Sequence, residues 1–178
     1  MNLKIRQEQI DDYEITEGVV KAAFAHAEHS DKKEHELVNR IRKSSEFIPR
    51  LSLVATDSST NKILGHILLS KIIIKTDNQK VDSLALAPVS VLPEYQNKGI
   101  GGLLMTEAVK EAKELGYKSV IVLGHPEYYP KFGFKKASIW GIKSPFEVPD
   151  EAFMALELSE NALHNVSGVV EYPSVFFE

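Results

Sequence analysis

The stretch Val89-Ser-Val-Leu-Pro-Glu-Tyr-Gln-Asn-Lys-Gly-Ile-Gly-Gly-Leu-Leu104 constrains this chain more than any other. It reads as the end of a strand, a sharp turn and the first turn of a helix. Pro93 stops strand pairing, because it has no N–H and restricts the residue before it. Gly99, Gly101 and Gly102 let the main chain curl tightly and place no Cβ between it and a ligand. The helix that follows adds unpaired N–H donors and the positive end of its dipole. A strand feeding an anion cradle at a helix start is what a phosphate-bearing cofactor needs. The same glycines also fit an ordinary strand–loop–helix connection.

What flanks this stretch makes it part of a larger unit. Upstream, Val81 to Val91 reads as a strand, with the near-continuous apolar run Ala85 to Val91 suited to burial on both faces. Pro88 inside it predicts a bulge or a break in pairing with one neighbour. Downstream, a helix is expected from about Gly99 to Leu115. Ile100, Leu103, Leu104, Val109, Ala112 and Leu115 form its apolar face, and Gly116 sits where a helix-ending glycine belongs. Ser119 to Leu123 follows as a short buried strand. Strand, turn, helix, strand is a βαβ unit with a parallel pair.

The rest of the chain supplies the sheet. Residues 2–7 alternate as a strand. Helical spacing runs from Asp11 and Asp12 to about His26, and again from Ser30 and Asp31 to Lys43. Strands are expected from Leu51 and over Ile63 to Lys75, with Gly65 marking a bulge or a close backbone approach. Gly124-His-Pro-Glu opens a short helix ending near Gly133, and Phe134 starts a strand. Phe153 to Leu158 and Val169 to Tyr172 read as two more strands. No repeat or linker interrupts residues 1–178, so one domain is expected.

Composition bears on partners. The chain has 178 residues, 43% hydrophobic and 26% charged, with a net charge of −4, so it carries no electrostatic footprint for nucleic acid or an anionic membrane. It contains no cysteine, which rules out disulfides, thiolate metal sites and a cysteine nucleophile. Ile63 to Ile74, the most apolar run, is too short to span a bilayer. The opening Met-Asn-Leu-Lys-Ile-Arg is not expected to act as a signal peptide, and a cytoplasmic protein is the expectation. His26, Glu28, His29 and His35 cluster without metal-ligand spacing and read as a solvated surface, so no metal is expected. A Gly-x-Ser-x-Gly elbow is absent, and the glycines lack the spacing of a dinucleotide fingerprint.

Two motifs then fall together. Gln96-Asn-Lys-Gly-Ile-Gly101 matches the Gln/Arg-x-x-Gly-x-Gly/Ala signature of the GNAT N-acetyltransferase superfamily, and Tyr128-Tyr-Pro-Lys-Phe-Gly-Phe134 resembles that superfamily's Tyr-x-x-x-Gly-Phe motif. The resemblance runs from Leu3 to about Leu158 and is closest to small bacterial members described only as predicted acetyltransferases. It implies the GNAT fold of the α+β class: a central, mixed, mostly antiparallel sheet flanked by helices, with the βαβ unit holding acetyl-CoA. By position, the cofactor-binding residues are Gln96, Asn97, Lys98, Gly99, Ile100, Gly101 and Gly102 at the pyrophosphate, and Val89 and Val91, with Ser90 between them, along the pantetheine arm. Tyr129, four positions before Gly133, takes the place of the general acid that protonates the departing thiolate. A phenol with an ordinary pKa of about 10 holds its proton at neutral pH, and a thiol has one of about 8.5.

The implied reaction is direct attack of an amine, small-molecule or peptide, on the thioester within a ternary complex of a monomer or homodimer. The other reading of the same turn is an acyl-CoA-binding regulatory module without turnover. The general base stays open among His125, His66, Glu28, Glu94 and water. The family's common Asn-x-x-Ala-x-x-x-Tyr pattern is missing, with Gly124-His-Pro-Glu in its place.

Overall fold

The computed structural model describes residues Met1 to Glu178. Its strands are β1 Leu3–Gln7, β2 Ser52–Asp57, β3 Lys62–Lys75, β4 Lys80–Val91, β5 Ser119–Leu123, β6 Lys135–Lys136, β7 Ile142–Lys143, β8 Phe153–Glu157 and β9 Gly168–Glu171; its helices are α1 Tyr13–Phe24, α2 Glu34–Arg42 and α3 Ile100–Glu114. The strands form one sheet in the order β1-β2-β3-β4-β5-β8-β6, antiparallel except for the parallel β4–β5 pair at its centre. β3 is long enough to serve two neighbours on one side. Its first half pairs with β2, and Ile73 to Lys75 pair with β9, which in turn pairs in parallel with β7. The β9 strand is legible in the sequence; its long-range pairing with β3 is not.

The two faces of the sheet bury different elements. On one face α3 packs Ile100, Leu104, Met105, Ala108 and Ala112 against Leu53, Leu64, Ile67, Leu69, Leu84 and Leu86. Leu103, expected on that face, is 45% exposed, because the buried stripe follows Met105 and Ala108 and leaves it on the flank. The helix ends as expected. The N–H of Gly116, at φ +87°, donates to Lys113 O, and that of Tyr117 donates to Ala112 O. On the other face α1 and α2 bury Val19, Val20, Val38 and Ile41 against Val54, Ile63 and Leu68.

One expected helix is not formed. After Gly124 the chain makes a turn and then a single 3-10 turn over Tyr129–Phe132. Pro130 removes an N–H that an α-helix would need, and Gly133 at φ +97° reverses the backbone directly afterwards.

Candidate functional site

The site begins where β4 and β5 part. They pair only at Leu84–Val120 and Ala85–Ile121, although β4 continues to Val91. The expected irregularity at Pro88 is present on the other edge of β4. Ile67 pairs with Val89 and Leu69 with Leu86, so Ala87 and Pro88 together face Leu68. Beyond the bulge the ladder has a definite phase. Leu92 N–H donates to Leu64 O at 2.9 Å, and in an antiparallel ladder alternate residues face the partner strand. Ser90 and Leu92 therefore address β3, and the main-chain groups of Val89 and Val91 point into the gap towards β5. The Gln96 side chain confirms the direction: its Nε2 donates to Val91 O at 3.0 Å. Gln96 thus latches the turn to the strand.

The turn itself concentrates donors. Gln96 N–H donates to Pro93 O, and the next main-chain N–H with a partner is Leu103, which donates to Gly99 O at 3.1 Å. Every N–H from Asn97 to Gly102 is left over. Asn97 at φ +63° and Gly99 at φ +83° are both left-handed, and this alternation turns successive N–H groups towards one concavity. Gly101 has a different reason to be glycine: a Cβ there would lie 2.8 Å from the Tyr128 hydroxyl. Exposed cations lie near the aromatic rings beside the turn. Lys98 and Lys62 stand 5.7 and 5.2 Å from the Tyr95 ring, and Lys131 stands 5.6 Å from the Tyr128 ring. A chain with an overall charge of −4 thus places positive charge beside its spare donors.

The tyrosine motif folds onto this turn. Tyr128 reaches Gly101, and Phe132 lies 3.5 Å from where a Cβ on Gly102 would be. Tyr129 is 8% exposed, with Tyr128 and Phe134 edge-on to its ring at 5.1 and 5.6 Å. A Cβ on Gly124 would stand 2.4 Å from that ring, so the glycine after β5 is what admits it. Burial pushes the Tyr129 phenol above its usual pKa of 10, so it keeps its proton at neutral pH. Sequence reasoning does not reach the Tyr128–Gly101 contact, Lys62, Lys131 or the space Gly124 provides. None of these carries a local signal; each is a contact between distant segments.

The base candidates are dispersed. His125 is exposed and lines an open pocket of about 420 Å³ with Pro126, Glu127, Tyr128 and Lys131. Glu94 is exposed on the 3-10 turn Pro93–Tyr95, and Glu28 is exposed between α1 and α2. His66 is fully buried, and loss of solvent pushes its pKa down to about 4, so it cannot meet an acceptor directly. No group of three or more His, Asp or Glu side chains is arranged to hold a metal ion.

The family model of the acetyltransferase (GNAT) domain matches residues 49–136, from just before β2 to the end of β6. The chain is 30% identical over 126 residues to the uncharacterized N-acetyltransferase YhbS of Escherichia coli (strain K12), covering 71% of this chain and 74% of YhbS. It is 36% identical over 120 residues to the uncharacterized N-acetyltransferase YjhQ of the same strain, a match over 67% of this chain and 65% of YjhQ. Among solved structures, Escherichia coli YhbS in complex with CoA superposes with a TM-score of 0.84 at 26% identity, over 100% of this chain and 93% of that one. A GNAT family acetyltransferase from Brucella melitensis in complex with acetyl-CoA superposes with a TM-score of 0.80 at 31% identity, over 98% of both chains.

Proposed function

The chain belongs to the GNAT family of N-acetyltransferases, and from that premise we propose that it transfers the acetyl group of acetyl-CoA to an amine by direct attack, with both substrates bound together. The observation that carries the proposal is the row of unspent N–H groups from Asn97 to Gly102 beside a strand edge whose Val89 and Val91 face a gap. These residues fit the cosubstrate. A pyrophosphate needs converging donors and nearby cations, and an amide-bearing pantetheine arm needs an unpaired strand edge.

Each group then has a task. The N–H groups of Asn97 to Gly102 hold the pyrophosphate, with Lys98 adding charge. Val89 and Val91 bind the arm through the main chain, and Ser90 spaces them. Acetyl-CoA supplies an activated thioester. Donors fixed on β4 oppose the negative charge that develops on its carbonyl oxygen. Tyr129 keeps a proton on its hydroxyl for the departing sulfur. Desolvation raises the phenol, so the proton stays on its oxygen until the sulfur departs. With His66 sealed in the core, removal of the proton from an ammonium acceptor falls to solvent-facing groups.

The acceptor is an amine, small or peptide-borne. Thiol release measured with acetyl-CoA and a panel of small amines, peptide N-termini and lysine peptides tests the reading. Amine-dependent release above hydrolysis is expected with at least one acceptor class. Tight acetyl-CoA binding with no turnover on any acceptor would replace it with a binding module.

A further inference from the structure

The face of the sheet under α1 and α2 carries a line of buried polar groups that the acetyl transfer above does not use. At one end, Arg42 on α2 grips Glu8 just after β1, with Nη2 to Oε2 at 2.6 Å and Nε to Oε1 at 3.3 Å; the two side chains are 2% and 0% exposed. Arg42 also reaches Glu17 on α1 at 3.4 Å and lies over the Tyr13 ring. Ser52 on β2 donates its hydroxyl hydrogen to Glu8 Oε1 at 2.8 Å, and the Ser52 hydroxyl oxygen lies 3.0 Å from His66 Nε2, with Glu8 Oε1 farther off at 3.8 Å.

These contacts assign the histidine's hydrogen. Ser52 has one hydroxyl hydrogen, and the paired carboxylate only accepts, so that hydrogen is committed to Glu8. The remaining bond needs a donor, which must be His66 Nε2–H. The buried imidazole is neutral, as its depressed pKa also indicates, so Nδ1 carries a bare lone pair. That Nδ1 is buried and has no partner.

Its counterpart stands on the next strand. Ser90 is the register partner of His66, in the hydrogen-bonded class of pair, with Cα atoms about 5.5 Å apart and side chains on one face. Ser90 is 2% exposed, and its Oγ is also buried without a partner. One side chain has a hydrogen to give and the other a lone pair to receive it. Thr16, on the buried face of α1, and Ser70 on β3 hold further buried hydroxyls without a partner.

We propose that Ser90 donates its hydroxyl hydrogen towards His66 Nδ1 through one buried water, since neither atom has a direct partner, and that His66 is thereby a positioning residue for the β4 edge. The hydrogens then run one way, from Ser90 to His66 to Ser52 to Glu8, where Arg42 closes the line. Val89 and Val91 flank Ser90, so the chain of bonds fixes the strand edge that faces the gap against β1, β2 and α2. The positioning role rests on the reading of that edge as the pantetheine site.

The test pairs nitrogen NMR of His66 with calorimetry of acetyl-CoA binding, on the wild type and on Ser90→Ala and Ser90→Thr. In the wild type at pH 6, His66 is expected to show a protonated Nε2 and a bare Nδ1. Ser90→Ala should move the Nδ1 resonance and weaken acetyl-CoA about fivefold, the size of one lost hydrogen bond. Ser90→Thr, which keeps the hydroxyl, should restore both. A protonated Nδ1, a charged ring at pH 6, or an Nδ1 resonance indifferent to Ser90→Ala would overturn the bond. Unchanged affinity in Ser90→Ala would overturn the positioning role. A wild type that does not bind acetyl-CoA removes that role together with the reading it rests on, while the nitrogen shifts still decide the bond alone.

Discussion

Tyr129→Phe removes one oxygen from a buried ring and leaves its packing with Tyr128 and Phe134 in place. If that oxygen carries the proton for the leaving sulfur, kcat should fall by about a hundredfold, at the low end for general acid catalysis. The acetyl-CoA dissociation constant should stay within about twofold, since the cradle lies elsewhere in the chain. Steady-state thiol release alongside calorimetry checks both; an unchanged kcat removes the acid role. Gly101 offers a second test at this scale. A methyl group there would stand 2.8 Å from the Tyr128 hydroxyl, so Gly101→Ala should weaken acetyl-CoA about tenfold by pressing the tyrosine loop off the turn. Adding Tyr128→Phe should recover most of the loss, and a loss it leaves untouched would contradict the steric origin. The glycine and tyrosine motifs were legible because each lies within a few consecutive residues. The contact between them was not, since nothing in Gly101 or Tyr128 alone says that they meet.

Elements were legible wherever one periodicity dominated. α3 and the strands flanking it follow directly from apolar spacing, and Pro88 announced the bulge that lets β4 leave its partner. The expected helix after Gly124 failed because Pro130 and Gly133 outweighed a favourable N-terminal signal. The buried polar line beneath α1 and α2 was also hidden, because Glu8, Arg42, Ser52 and His66 sit far apart in the chain and no spacing links them. It has a consequence for stability. The folded state keeps His66 neutral down to about pH 4, whereas an unfolded histidine takes a proton near 6.5. Between those values the unfolded chain binds more protons, so lowering pH from 6.5 to 4 removes stability, by about 3 kcal/mol at most. The lowered pKa of Asp12, hydrogen-bonded to Arg6, adds its loss only below 3.8. Urea unfolding at pH 7, 6 and 5 should show the His66 slope in the wild type, while His66→Asn should start less stable and lack it. Parallel pH dependence in the two proteins would contradict a buried neutral histidine.

Over the whole molecule, the half of the site that binds the cosubstrate and the half that meets the amine differ in legibility for a physical reason. A pyrophosphate and an amide-bearing arm suit backbone donors, and backbone geometry is written in prolines and glycines. The family model accordingly matches residues 49–136, which contain β4, the turn and the tyrosine motif. α1 and α2 precede that span, and β8 and β9 follow it. No short motif in these segments names the amine. No helix of the chain is long and apolar enough to cross a membrane. If main-chain donors at one turn and one strand edge hold acetyl-CoA, amide NMR reads those donors individually. On titration with acetyl-CoA, the N–H resonances of Asn97 to Gly102, Val89 and Val91 should shift most, and that of Ser90, committed to β3, much less. Shifts concentrated elsewhere, or none at saturating acetyl-CoA, would contradict the account.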